Sequence, residues 1–335
     1  MERKIIRKER HNGIEVIEYG IKNDALELRF INVGGAITKI ALAEDAYEEN
    51  LVCSYHSLAD YLDNGCFLNT LIGRTSNRIT NGKFTINGKA YQVDLNDGSN
   101  NLHGGTENLT HMVFDVSESE RGYQLQAVMK EQPEGFPGNL QVFVQYELDD
   151  NKVKISYKGL SDKDTLFNPT QHAYFNLSGN LKRSIYEHEL MINASAVAEV
   201  NEQSSFTEEL ISVDGTRFDF GVQTIIDPVN KPESDLFDRA FGYDHLFLLD
   251  ENEPAAVFYE PVSGRKLEIF TSEPAMQFYA GNHLKDEVFE NNRAAEAHLG
   301  ACFETHKVPF DFDSQLLKAN EKSHVQETEW VFSKV

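Results

Sequence analysis

The sequence predicts an all-β fold, most simply a large antiparallel β-sandwich with few short helices, and three observations carry that prediction. Apolar and polar residues alternate with period two along much of the chain, turn signals join such runs, and helical periodicity is confined to short pieces. The strongest run is Leu140, Val142, Val144, Tyr146 and Leu148, with Gln141, Gln145 and Glu147 on the opposite face. It is followed by Asp149-Asp150-Asn151 and then Val153, Ile155 and Tyr157, the pattern of an antiparallel hairpin. Phe84 and Ile86 lead through Asn87-Gly88 to Tyr91 and Val93. Asn-Gly suits a type I′ turn, because both central residues there need positive φ. Leu26, Leu28 and Phe30 alternate in the same way, and Ala256 to Tyr259 is a β-prone apolar run. The helical pieces are Ser57 to Asp63 and Ser234 to Phe241.

With 335 residues the chain is long enough to bury about 75% of its unfolded surface without disulfides or metals. It contains no Gly/Ser/Pro-rich linker or internal repeat, and its 9 prolines are scattered, so residues 1–335 are expected to form one domain. A net charge of −23 would repel a phosphate backbone, which argues against nucleic acid as a partner. The basic cluster Arg3, Lys4, Arg7, Lys8 and Arg10 reads as the solvated face of a first strand. Charge begins at Glu2 with no apolar leader core, and no run of about 18 apolar residues occurs, so a cytoplasmic location without membrane spanning is expected. Cys53, Cys66 and Cys302, an odd count without CxxC spacing, read as reduced, buried, structural thiols.

Chemistry-bearing residues concentrate in six segments. They are Gly73-Arg74-Thr75-Ser76-Asn77-Arg78-Ile79, Asn101-Leu102-His103-Gly104-Gly105, Asn168 to Leu177, Gly242-Tyr243-Asp244-His245, Gln277 to Asn282, and Cys302-Phe303-Glu304-Thr305-His306. Amides among aromatics suggest a polyol ligand. Taken singly, each residue has a structural reading: a histidine among apolar residues as a hydrogen-bonded core group, Gly104-Gly105 as turn chemistry, Arg78 as the partner of an acid, Glu304 as a solvent-facing strand residue. No phosphate loop, GxGxxG, HExxH, His-x-His pair or GxSxG elbow is present. General acid/base chemistry remains.

Taken together, in order and spacing, these segments resemble the aldose 1-epimerase (mutarotase) family, whose motifs read GRxANRI, N-x-L-H-G-G, N-x-T-x-H-x-Y-F-N-L, Y-D-H and C-x-E-T-Q. The resemblance runs from about Val33 to Pro309 and implies a single antiparallel β-supersandwich with a sugar site on its concave face. It further implies Glu304 as general base, His172 as general acid and His103 as a second imidazole at the reacting centre. Asn77, Arg78, Asp244 and Gln277 would bind sugar hydroxyls. The implied partner is a small sugar, the chain being a monomer or homodimer, and neither metal nor cofactor is required. For this role Glu304 is expected to be ionised and His172 protonated, with Asp244 favouring the charged imidazole. The sequence departs from the family at His306, where Gln is usual, at Asn69, where Gly is common, and at Phe114, often Trp; His306 is expected to affect how Glu304 is held. The implied activity is interconversion of the α and β anomers of a free hexose such as galactose or glucose. The alternatives are a mutarotase of a hexose 6-phosphate, a non-catalytic sugar-binding protein, and a glycoside hydrolase using Glu304 and Asp244 as paired carboxylates.

Overall fold

The computed structural model of the chain describes residues 1–132, 135–229, 231–321 and 325–335. Two large antiparallel sheets pack face to face. One has nine strands, in the order Asp115–Glu118, Gly122–Met129, Leu140–Asp149, Lys152–Ser161, Gln326–Lys334, Arg265–Thr271, Ala256–Glu260, Glu189–Ile192 and Thr224–Ile225. The other has five: Phe206–Ser212, Ala194–Val200, Asp244–Leu249, Ala275–Tyr279 and Cys302–His306. A four-stranded sheet from residues 2–42 packs alongside, and its first strand, Glu2–His11, carries the basic cluster. That face is not merely solvated. Arg7 pairs with the buried carboxylate of Glu18 at 3.0 Å, and Glu18 in turn accepts from Thr38.

The strands form where one face can be buried. Leu140, Val142, Val144, Tyr146 and Leu148 are all buried, and the turn at Asp150-Asn151 sets the pairing of Asp149 with Lys152. Lys83–Ile86 pairs with Lys89–Gln92 around Asn87 (φ 50°) and Gly88 (φ 77°), the positive values that a type I′ turn demands. The short helices stand where expected. Leu58–Asp63 is a 3₁₀ turn with a Ser57/Asp60 capping box, and Asp235–Arg239 is an α-helix capped by the Ser234 side chain.

The core between the sheets is aromatic. Phe303 lies 5.2 Å from Phe258 and 5.4 Å from Phe278 (ring centroids), and Phe175 meets buried Trp330 edge-on at 4.8 Å. Because strand side chains alternate, His245, Phe278 and Phe303 turn into this core. Their neighbours Asp244, Gln277 and Glu304 turn to the opposite, concave face.

Three buried histidines serve the scaffold. Leu177 N–H donates to Nε2 of His188, whose ring stacks on Phe258 at 4.7 Å. Asp244 N–H donates to Nδ1 of His245, and Nδ1 of His306 is 2.8 Å from the carbonyl of Lys307. Burial holds all three neutral, pushing His188 and His306 down to about 4 and His245 to about 3. The unfolded chain, with histidines near their ordinary value of about 6.5, therefore binds more protons than the native one between about pH 6.5 and pH 4. The stability these groups contribute is complete above that window and lost through it. Urea unfolding followed by Trp330 fluorescence is expected to show a lower midpoint at pH 5 than at pH 7; an unchanged midpoint would contradict the neutral burial.

Candidate active site

All seven residues expected at the site line one cavity of about 240 Å³ on the concave face. Asn77, His103, His172, Gln277 and Glu304 are buried, while Arg78 and Asp244 are half-buried. Glu304 is 2% exposed, so its reading as a solvent-facing strand residue does not hold. It sits directly across from Gln277, which is across from Leu246, and the same face carries Cys302 and Tyr279.

His172 enters from a separate segment that Thr170–Gln171 anchors. Thr170 Oγ1 donates to the carbonyl of Thr305, on the same strand as Glu304, and His172 exchanges backbone hydrogen bonds with Thr70 and Asn69. The result is that Nε2 of His172 lies 3.5 Å from Oε1 of Glu304. Oε2 of Glu304 is buried with no protein hydrogen-bond partner, as befits an acceptor reserved for a ligand.

His103 and Asn77 are held by each other. Asn77 takes a left-handed conformation (φ 60°), which Asn tolerates, and its N–H donates to Nδ1 of His103 at 3.2 Å while His103 N–H donates back to the carbonyl of Asn77. Gly104 permits this approach: a Cβ there would stand 2.5 Å from the carbonyl oxygen of Gly73. An Nδ1 that accepts must be unprotonated, so the hydrogen of neutral His103 is on Nε2. Burial, reinforced by His172, Arg78 and His306, keeps the ring neutral. His103 is thus a fixed donor, set perpendicular to His172 with ring centroids 5.5 Å apart. Among the described residues, His103, His172 and Glu304 gather ligand-type atoms within 4.8 Å of one another. The Asn77 bond makes the trio unsuited to a metal ion, because Nδ1 of His103 is occupied and Nε2 is protonated.

The remaining residues form a polar chain. Asn77 Nδ2 donates to Gln277 Oε1 (2.8 Å), and Gln277 Nε2 donates to Asp244 Oδ1 (2.6 Å). Arg78 pairs with Asp97 at 2.7 Å, so the structural reading of that residue is also met, and its side chain still lines the cavity. Sequence reasoning missed the aromatic wall. Tyr174 and Tyr279 stand two residues beyond His172 and Gln277, where period-two alternation could have found them; Phe67, in a left-handed turn, gave no such signal. Cys66 is half-buried and also lines the cavity, which corrects its reading as a buried structural thiol; none of the three cysteines is in a disulfide.

The expected charge states also need correction. Burial pushes the Glu304 carboxyl well above the usual range, the negative charge of Asp244 pushes it further, and Arg78 opposes. Burial pushes His172 down to about 4. Asp244 therefore acts on the base rather than supporting a charged His172, because it lies along the Gln277 side of the pocket. Both shifts favour the uncharged pair of carboxyl and imidazole, and proton transfer across 3.5 Å yields carboxylate and imidazolium. His306, on the strand of Glu304, spends its Nδ1 on a backbone carbonyl. Asn69 (φ 57°) does more than replace a glycine: its side chain donates to the carbonyls of Ile37 and Cys53 and accepts from Tyr174 N–H.

The family described as aldose 1-epimerase matches residues 18–327. The chain belongs to this family. It is 32% identical over 299 residues to a galactose mutarotase of Bos taurus, covering 88% of this chain and 86% of the relative. It is 36% identical over 253 residues to an aldose 1-epimerase of Escherichia coli (strain K12), covering 73% and 72%. In structure it is similar to a galactose 1-epimerase from Lactobacillus acidophilus NCFM, with a TM-score of 0.89, 29% identity and 99% of both chains covered. Family membership extends beyond the stretch from Val33 to Pro309 in both directions, and the large antiparallel sandwich is the fold expected of it.

Two variants separate the roles of Asn77. Asn77→Gly removes the side-chain bonds but keeps the left-handed turn that aims the backbone N–H at His103, whereas Asn77→Val also strains the backbone by about 1–3 kcal/mol. Asn77→Val is expected to be the less stable by that margin in urea denaturation. Equal stabilities would remove the backbone argument.

Proposed function

We propose that this protein interconverts the α and β anomers of a free hexose such as galactose or glucose, with Glu304 as general base and His172 as general acid. The observation that carries this reading is the buried 3.5 Å approach of His172 Nε2 to Glu304 Oε1 in a monosaccharide-sized cavity. The carboxylate form of Glu304 takes the proton of the C1 hydroxyl as a carbonyl forms at C1. The C1–O5 bond breaks, its electron pair passes to the ring oxygen, and that oxygen takes the proton from Nε2 of His172. After rotation about C1–C2 the same transfers run in reverse, so protons and electrons balance without a redox partner.

His103, a fixed Nε2–H donor, supplies a hydrogen bond to a sugar oxygen and cannot exchange the proton. Gln277, Asp244, Arg78 and Asn77 offer donors and acceptors to the other hydroxyls, and Tyr174 and Tyr279 offer flat apolar faces to the sugar ring. Sugar hydroxyls donating to Glu304 stabilise its ionised form, which is how binding draws the shared proton towards His172. The alternatives lose support here. Arg78, the one arginine lining the cavity among the described residues, is engaged by Asp97, which disfavours a sugar phosphate, and paired proton-transfer groups have no purpose in a protein that only binds. We further propose that residues 1–335 form one domain, since the main hydrophobic cluster draws on residues from Ile21 to Phe332. No helix among the described residues is long and apolar enough to cross a membrane; a cytoplasmic location remains part of the proposal, and its three cysteines outside any disulfide support it.

Polarimetry of freshly dissolved α-D-galactose and α-D-glucose tests the activity. The protein is expected to hasten the approach to the equilibrium rotation, and Glu304→Gln to lose about 10²- to 10⁴-fold in kcat with a modest change in KM. Full activity in that variant would refute the assignment of the base. Asp244→Asn gives a second test: removing the negative charge lowers the pKa of Glu304, so carboxylate persists to lower pH. The acid limb of the rate profile is expected to move to lower pH, and a movement to higher pH would contradict the coupling.

A further inference from the structure

Cys302 is buried, unpaired and outside every role assigned so far. Its Sγ lies 3.5 Å from Nδ1 of His172, while Oε1 of Glu304, two residues further along the same strand face, lies 3.5 Å from Nε2 of the same ring. One strand therefore clasps both nitrogens of the imidazole. The other groups facing the ring are His103, Phe67, Tyr174, Tyr279 and the backbone carbonyl of His172 itself, which favours a proton on the ring. His103 is neutral, Tyr174 donates its O–H to the carbonyl of Cys66, and the Tyr279 oxygen accepts from His283 N–H. Glu304 is the proton-exchanging partner within reach of Nε2, and Cys302 faces Nδ1.

We propose that Cys302 is a positioning residue for proton transfer: its sulfur accepts the Nδ1–H of His172 and so reserves Nε2 as the atom that gives and takes the proton. The proposal rests on His172 acting as the acid. Burial and the nearby Glu304 keep Cys302 a neutral thiol, able either to donate weakly or to accept weakly. If the thiol donated to Nδ1, neutral His172 would carry its hydrogen on Nε2, as His103 does, and could take up no proton there. With sulfur as the acceptor, Nδ1 keeps its hydrogen throughout. Nε2 then alternates between N–H and lone pair, as a group that acts in both directions must. Sulfur is also a poor acceptor compared with a carboxylate, so it stabilises the imidazolium little and leaves it a strong acid. The two imidazoles of the site are thus set in opposite tautomers by opposite partners at Nδ1, a backbone N–H for His103 and a thiol sulfur for His172.

The test is nitrogen-15 NMR of histidine-labelled protein, with His103→Gln and His172→Gln assigning the two rings, combined with rate profiles of Cys302→Ala and Cys302→Ser. At neutral pH, His172 is expected to show a protonated Nδ1 and a bare Nε2, and His103 the reverse. Cys302→Ala is expected to mix the tautomers of His172 and to lower kcat by about 10- to 100-fold, the range for partners that orient a functional imidazole, with KM little changed. Cys302→Ser supplies a stronger acceptor, so it is expected to restore the tautomer and move the basic limb of the profile to higher pH, because a better-stabilised imidazolium loses its proton later. A bare Nδ1 on His172 in the unsubstituted protein overturns the proposal, whether or not the variants fold. So does Cys302→Ala with tautomer and kcat unchanged. Retained activity in Glu304→Gln would instead strike at the acid/base reading itself, whereas an inactive Glu304→Gln with a bare Nδ1 on His172 removes only the role given to Cys302.

Discussion

Burial of His103, His172 and Glu304 within a few ångströms of one another on the concave face of the five-stranded sheet is the constraint from which the rest of this site follows. Removing water penalises every charged form, so each proton must be assigned by direct contact rather than by solvent. The Asn77 N–H fixes the hydrogen of His103, and the Cys302 sulfur faces the inner nitrogen of His172. What remains mobile is one proton between His172 and Glu304, two residues that both line the cavity. A site that must open and reclose a sugar ring in either direction needs just such a reversible pair.

The scaffold makes this arrangement by repetition rather than by special geometry. A strand with period two presents Phe303 to the core and Glu304 to the cavity, and its neighbour presents Phe278 and Gln277 in register. Packing of Phe303 between Phe258 and Phe278 therefore fixes the height at which the outward polar groups stand. The loops add the second imidazole, His103, by close backbone approach, which is why a glycine at position 104 and a left-handed Asn77 occur together. The buried histidines of the scaffold stay neutral for the same reason as those of the site, and they tie the stability of the sandwich to pH.

Much of this was legible in the residues. The hairpin from Leu140 to Tyr157 could be read because one face is wholly buried, and Asn87-Gly88 announces its own turn. Two-residue pairings such as Leu71–Ile72 with Thr170–Gln171 could not be read, since they are held by partners about a hundred residues away rather than by local pattern. All seven site residues lay in the six polar segments, and their motifs carried the family. Their coupling was not legible. That Asp244 acts on Glu304 rather than His172 depends on Gln277 lying between strands, and that Cys302 touches His172 depends on a register no local pattern encodes. Asn69 read as a departure from glycine, although its side chain pins two backbone carbonyls and Tyr174 N–H.

The most direct test of the central claim is a crystal structure of the Glu304→Gln variant with D-galactose bound. The ring oxygen is expected within hydrogen-bond reach of Nε2 of His172, with the C1 hydroxyl against the carboxamide at position 304 and a sugar oxygen accepting from Nε2 of His103. A sugar bound with its ring oxygen turned away from His172, or with the C1 hydroxyl remote from position 304, would contradict the division of labour between the two imidazoles.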